Sequence, residues 1–209
     1  MSTDSFEIRV CQNPECGLRY PLTKGHPFGE RCPQCLSETR VVLEAPLTRE
    51  STEKPEPNRK NKIAVLLDNV RSAWNVGSIL RSSDGFGFSH AYLCGITPTP
   101  ENEEVRKTAL GAQEYVTWSS HKNAVKLASQ LKEEGWKIWS LELTETAIPL
   151  NDAKIKHNTV LIVGSEVTGV DPELLQLADQ TVYLPMRGGK RSFNVAVAFG
   201  AAAYALTNK

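Results

Sequence analysis

The segment Thr181–Ala196, TVYLPMRGGKRSFNVA, runs from a β-branched strand through a glycine loop into an alanine-rich stretch. Thr181–Leu184 reads as a short strand that stops at Pro185, which has no N–H to give to a ladder. Arg187-Gly188-Gly189-Lys190-Arg191 is a flexible, basic loop, and Ser192-Phe193-Asn194 opens a helix expected to reach Leu206. Ser192 is the expected cap, because its hydroxyl can accept from a first-turn N–H that lacks a partner within the helix. A strand, a glycine loop and a polar helix start place backbone donors and acceptors around a small ligand. An ordinary strand-to-helix connection has the same pattern, so the segment alone leaves both readings open.

The chain on the N-terminal side repeats this rhythm. Short apolar runs at Ile63–Leu67, Ala91–Cys94, Tyr115–Trp118, Lys137–Leu141 and Thr159–Val163 read as further strands. Helical patterns at Trp74–Gly85, His121–Glu134, Pro172–Leu177 and Ser192–Leu206 lie between them or follow the last. Strands alternating with helices predict an α/β domain over residues 62–209, with a mostly parallel sheet covered on both faces. Ligands of such sheets bind beyond the carboxyl ends of the strands. Two further polar segments fall there. In Asp68–Gly87, DNVRSAWNVGSILRSSDGFG, Asn75, Ser78 and Arg81 recur at helical spacing and are expected near one face. An exposed helix arginine is the plain alternative for Arg81. In Leu161–Leu175, LIVGSEVTGVDPELL, Glu166 sits between Gly164 and Gly169, and a helix is expected to open at Asp171-Pro172. The glycines permit close approach to a ligand. Glu166 is placed to accept from a ligand or from Arg81, unless it is a solvated turn carboxylate. No GxGxxG or P-loop is present, which disfavours dinucleotides and triphosphates.

Length and charge set the outer limits. A chain of 209 residues holds one sizeable core, or one domain and a small appendage. With 40% hydrophobic and 23% charged residues it fits a soluble globular protein. Its formal net charge of zero leaves any polyanion to be met by local clusters such as Arg187, Lys190 and Arg191. No apolar run approaches a membrane span, and MSTDSFEIRV lacks a signal pattern. The expected compartment is the cytoplasm, where cysteines serve as metal ligands more often than as disulfides.

Four of the cysteines form two pairs, Cys11 and Cys16 in CQNPEC, and Cys32 and Cys35 in CPQC. That spacing suits two turns holding one tetrahedral structural zinc in a zinc-ribbon-like module over residues 1–43. The first pair is C-x4-C rather than C-x2-C. Phe6–Val10 and Thr39–Leu43 read as strands, with Tyr20 and Phe28 as a miniature core. His26 is an alternative ligand, although four thiolates already complete the shell. So small a module needs the metal for its folding energy. Residues 44–61, EAPLTRESTEKPEPNRKN, read as an extended linker. Cys94, in an apolar run, reads as a buried strand residue.

Three segments taken together resemble the signature motifs of the SpoU (TrmH-like) branch of the SPOUT RNA methyltransferases. They are N-V-G-S-I-L-R from Asn75 to Arg81, V-G-S-E-V-T-G-V from Val163 to Val170, and L-P-M-R-G-G-K-R-S-F-N-V-A from Leu184 to Ala196. The resemblance covers residues 62–209 and none of the cysteine module. It implies a Rossmann-like domain whose C-terminal part is threaded as a deep trefoil knot, a rare exception to the rules of chain threading. It also implies a homodimer, S-adenosylmethionine as methyl donor, and a ribose 2′-hydroxyl of tRNA or rRNA as acceptor. By position, the cofactor residues would be Leu141, Gly164, Leu184, Met186, Ser192, Phe193 and Val195. The functional polar set would be Asn75, Arg81, Glu166, Ser192 and Asn194, with Arg81 holding an RNA phosphate or ribose oxygen. Phe193 and Ala196 depart from the family's usual leucine and serine. Three rivals remain: an idle RNA binder that kept the fold, a zinc-ribbon adaptor for a protein partner, and methyl transfer to a base nitrogen.

Overall fold

In a computed structural model, residues 5–23, 26, 30–47 and 60–208 are described. The chain forms two units, Met1–Pro55 and Glu56–Lys209. In the first, β1 (Ser5–Cys11), β2 (Arg19–Thr23) and β3 (Thr39–Pro46) form an antiparallel sheet in the order β2-β1-β3. β3 extends three residues past Leu43, into the stretch read as linker. Phe28 and residues 48–59 lie outside the described residues. Tyr20 is half-buried, and its hydroxyl donates to the Arg31 carbonyl at 3.0 Å.

The second unit is built on β4 (Ile63–Asp68), every residue of which is buried. Helix α1 (Ala73–Gly85), strand β5 (His90–Cys94), helix α2 (Glu103–Ala109) and strand β6 (Thr117–His121) follow. The chain continues through α3 (Ala124–Glu133), β7 (Lys137–Leu141), the two-residue β8 (Ile148–Pro149) and β9 (Thr159–Val163). It ends with α4 (Pro172–Leu177), β10 (Gln180–Tyr183) and α5 (Val195–Thr207). The sheet order is β6-β5-β4-β9-β7-β10-β8, and its neighbouring strands pair in parallel.

Alternation along β4 divides its side chains between two cores. Val65 and Leu67 pack with Ile79, Leu80 and Phe199 beneath α1 and α5. Ala64 and Leu66 pack with Leu127, Leu131 and Leu174 beneath α3 and α4. Burial on both faces is why β4 and β9 read as unbroken apolar runs. Cys94 is fully buried in β5, as its apolar setting suggested, and burial pushes its thiol up to about 12.

Several boundaries differ from the expected ones, each for a local reason. Gly111, in the left-handed region at φ 90°, starts a 3-10 turn over Ala112–Glu114, so the strand expected at Tyr115 begins at Thr117. His121 stays in β6, and α3 starts after Asn123, whose side chain accepts from Lys126 N at 2.8 Å. Helix α5 starts at Val195 and is capped by Asn194, not Ser192. The Asn194 Oδ1 accepts from Ala196 N at 2.9 Å and from Val197 N at 3.3 Å. Helix α2 escaped the pattern reading because it buries only Val105 and Ala109.

Gly77 lets α1 meet α2: a Cβ there would lie 2.5 Å from the Val105 carbonyl and closer still to the Thr108 hydroxyl. Gly77→Ala should therefore cost about 1–3 kcal/mol in urea unfolding. Gly85→Ala, with open space around the added methyl, should be neutral or stabilising by up to about 1 kcal/mol. Equal effects at the two sites would mean that Gly77 does not set the helix contact.

Candidate active site

The loops following β7, β9 and β10 converge at the carboxyl ends of their strands around a cavity of about 930 Å³. Leu141, Gly164, Leu184, Met186, Ser192, Phe193 and Val195, the residues assigned to the cofactor by resemblance, all line it. So do Glu166 and Asn194 of the functional polar set. The wall also carries Glu142, Leu143, Tyr183, Lys190 and Arg191. Glu142 and Leu143 were missed, although they directly follow Leu141 at a strand end, which is where such sites are built.

The polar residues are joined in one chain of hydrogen bonds. Asn194 Nδ2 donates to Asn75 Oδ1 at 3.0 Å, and Asn75 Nδ2 donates to Glu166 Oε1 at 2.8 Å. Glu166 also accepts from Arg71 N at 2.9 Å and from Ser72 N at 3.1 Å, just ahead of α1. Ser72 caps that helix by accepting from Asn75 N at 3.3 Å. Residues from all three sequence segments thus meet at a single carboxylate. Partial burial opposes ionisation of Glu166, but the Arg71, Asn75 and Ser72 donors outweigh it and hold the carboxyl below its usual range.

The geometry decides between readings the sequence leaves open. Glu166 anchors the loop into α1 and not Arg81. Arg81 lies six residues beyond Asn75, about 9 Å further along the helix axis; it is exposed and has no ion-pair partner among the described residues. It is not part of the cavity wall. Ser78 also stays out of the site, donating instead to the Trp74 carbonyl at 2.8 Å. Finally, Gly164 and Gly169 make room for the protein itself. A Cβ on Gly164 would strike the backbone of Gly169 and Val170, and Gly169, at φ +71°, lies against the Glu142 carboxylate. Ser165 and Gly169 exchange backbone hydrogen bonds at 3.0 Å, pinching off the loop that carries Glu166. Glu142 fastens the same loop by accepting from Val170 N at 3.2 Å.

In the smaller unit, the sulfurs of Cys11, Cys16, Cys32 and Cys35 all lie within 4.8 Å of one another. The Cys11–Cys35 and Cys16–Cys32 sulfurs are 3.4 Å and 3.8 Å apart. Tetrahedral coordination with metal–sulfur bonds of about 2.3 Å places sulfurs about 3.8 Å apart, so the four thiols fit one such ion. Each pair sits on a tight turn: Cys16 N donates to the Asn13 carbonyl, and Leu36 N to that of Cys32. The Ser37 hydroxyl and N–H pull the Cys35 thiol down to about 6, while desolvation pushes Cys11 up to about 12. His26 is exposed and stands outside this set.

The chain belongs to the SpoU rRNA methylase family, whose profile matches residues 62–204. It is 31% identical to a tRNA (guanosine(18)-2′-O)-methyltransferase of Aquifex aeolicus over 78% of this chain and 76% of the relative. It is 30% identical to the 23S rRNA (guanosine-2′-O-)-methyltransferase RlmB of Acinetobacter baylyi, over 70% of this chain but only 60% of that protein. The crystal structure of the A. aeolicus TrmH/SpoU tRNA modifying enzyme superposes with a TM-score of 0.64 at 28% identity, covering 71% of this chain and 75% of that one. An AdoMet-bound rRNA methyltransferase from Sinorhizobium meliloti shares the fold, with a TM-score of 0.66 at 24% identity over 72% of this chain and 57% of its own.

The depressed Glu166 pKa gives the loop a pH signature. Its contribution is complete above the ordinary carboxylate range and is lost as pH falls through the lowered folded-state value. Protection factors of the Arg71 and Ser72 amides should drop about fivefold to tenfold in Glu166→Gln. In the native protein they should drop only once pH falls below the usual glutamate range. Protection unchanged by the substitution would disconnect Glu166 from the start of α1.

Proposed function

We propose that the protein is an S-adenosylmethionine-dependent methyltransferase acting on a ribose 2′-hydroxyl of tRNA or rRNA. The observation that carries this reading is the Asn194–Asn75–Glu166 chain set against the cavity. The names of the tRNA and rRNA 2′-O-methyltransferase relatives support the same acceptor.

The cavity fits the methyl donor by its size and lining. Its volume lies within the ~300–1,000 Å³ typical of cofactor pockets. Leu141, Val163, Leu184, Met186 and Val195 give it an apolar wall, and the loop backbones supply polar groups. When bound, S-adenosylmethionine supplies an activated methyl group on a sulfonium. Ser192 and Asn194 then orient the acceptor, Asn75 holds the Asn194 carboxamide, and Glu166 holds Asn75. Lys190 and Arg191, at the wall, attract the RNA backbone. Arg81, outside the cavity wall, acts on the RNA: its guanidinium holds a phosphate or ribose oxygen of the bound strand.

A C-terminal trefoil knot belongs to this reading through the family's third motif, Leu184–Ala196. A homodimer through this domain is supported by the outer surface of α1 and α5, where Trp74, Val197 and Tyr204 are 60%, 57% and 62% exposed. Such aromatic exposure is characteristic of an interface. The four thiols hold a structural zinc, with no open position for catalysis. β3 carries the ribbon to Pro46, and residues 47–61 and 62–209 correspond to linker and methyltransferase domain. Among the described residues no helix is long and apolar enough to cross a membrane, and the cytoplasm is the proposed site of action.

Purified protein, labelled S-adenosylmethionine and total RNA from a host lacking the gene should yield a 2′-O-methylated nucleoside on digestion. Arg81→Ala should lower kcat/KM for RNA about 10- to 100-fold while leaving cofactor affinity unchanged. Cofactor binding with no label on RNA would support the idle binder, and a methylated base would move the acceptor. Metal analysis should find about one zinc per chain, lost in Cys32→Ser; an equal zinc content in that variant would exclude the four-thiolate site.

A further inference from the structure

The sheet of the small unit segregates its charges between its two faces. Directly paired strand residues share a face, and faces alternate along each strand. On one face, Val10 is flanked by Arg19 and Arg40. Next to it Ile8 is flanked by Pro21 and Leu43, and beyond that Phe6 is flanked by Thr23 and Ala45. None of these nine positions is acidic. The strand acids Glu7 and Glu44 pair with each other across the opposite face. That face also takes Arg9, which is buried and bonded to Glu7 at 2.6 Å and to the Thr39 hydroxyl at 2.8 Å. The module therefore pairs and buries the arginine on its inner face while leaving two on the outer face. Arg19 and Arg40 are exposed, with no ion-pair partner among the described residues.

The apolar residues between them remain open as well. Leu43 is 51% exposed, while Phe6, Ile8 and Val10 are only half-buried. A face meant only to be wetted would carry polar residues along β1. One meant for an apolar protein partner would not set two unpaired cations across its central strand. Arginines about 10 Å apart across two strand spacings, with a phenylalanine on the same acid-free face, match a single nucleic-acid strand. Its phosphates meet guanidinium groups and its bases stack on an aromatic ring.

We propose that the Phe6–Val10 face of the cysteine module, flanked by Arg19 and Arg40, binds single-stranded RNA. This rests on the methyltransferase reading above, in that the RNA bound is the substrate of the same chain. The module would then capture a loop or an unpaired end through its backbone and stacking bases, with little sequence readout.

The test measures RNA affinity of the full chain against salt for the native protein and for Arg19→Ala/Arg40→Ala. At about 0.1 M salt the double variant should bind about tenfold more weakly. Its log affinity against log salt should be shallower by about 1.4, or about 0.7 for each phosphate left without its arginine. Phe6→Ala should weaken binding without changing that slope. Arg19→Lys/Arg40→Lys should keep the slope, which separates charge from folding; zinc content and cofactor affinity should match the native protein throughout. Native methylation of RNA with unchanged affinity in the double variant would overturn the proposal and spare the methyltransferase. Loss of a crosslinked protein partner with RNA binding intact would overturn it in favour of the adaptor. A native protein that neither binds nor methylates RNA would remove the parent reading and this one together.

Discussion

One carboxylate holds the catalytic end of the larger unit together. Glu166 reaches from the loop after β9 to the backbone N–H groups of Arg71 and Ser72 and to the carboxamide of Asn75. Those backbone donors lie at the entry of a helix, where N–H groups have no intrahelical partner and the helix dipole favours a negative charge. With the start of α1 pinned, Asn75 is fixed; with Asn75 fixed, the Asn194 carboxamide has a place to dock. Asn194 in turn begins α5, so the loop arriving from β10 must close around the cavity. The carboxylate is kept ionised by the donors it organises.

Much of this was legible in the sequence because the parallel sheet writes itself plainly. Residues buried on both faces cannot be polar, so β4 and β9 stood out as apolar runs, and the polar residues at their ends stood out by contrast. The residues of the cavity wall were legible for a different reason: they matched a known motif set, which places residues more sharply than periodicity does. What was not legible depended on contacts distant in sequence. Ser192 and Asn194 are both good caps, and only docking of Asn194 against Asn75 decides between them. Gly164 lines the cavity, and only the fold shows that its missing side chain also makes room for Gly169 and Val170. Arg81 shares a helix with Asn75, but spacing along a helix does not tell which residue reaches a carboxylate on another loop.

The small unit shows a complementary limit. Its cysteines declare themselves by number and spacing, since few other residues carry so specific a coordination chemistry. Its outer face does not. Arg9, Arg19 and Arg40 look alike in the sequence, and only the strand register shows that one is paired and buried while two stand on the open face. The bulge in β3, between the partners of Ile8 and Arg9, shifts the alternation and hides the pattern further.

The two asparagines of the site carry a consequence for which residues can stand there. Each uses its amide in both senses: Asn194 accepts from the α5 backbone and donates to Asn75, and Asn75 accepts from Asn194 and donates to Glu166. The chain therefore has a direction, with every amide proton pointing toward the carboxylate. Aspartate would keep the shape and lose the donor; glutamine would keep both functions and overshoot by a methylene; serine could not span the gap. A rotation of either amide by half a turn would break its bonds at both ends at once. The site is thus written in an alphabet of one letter at two places.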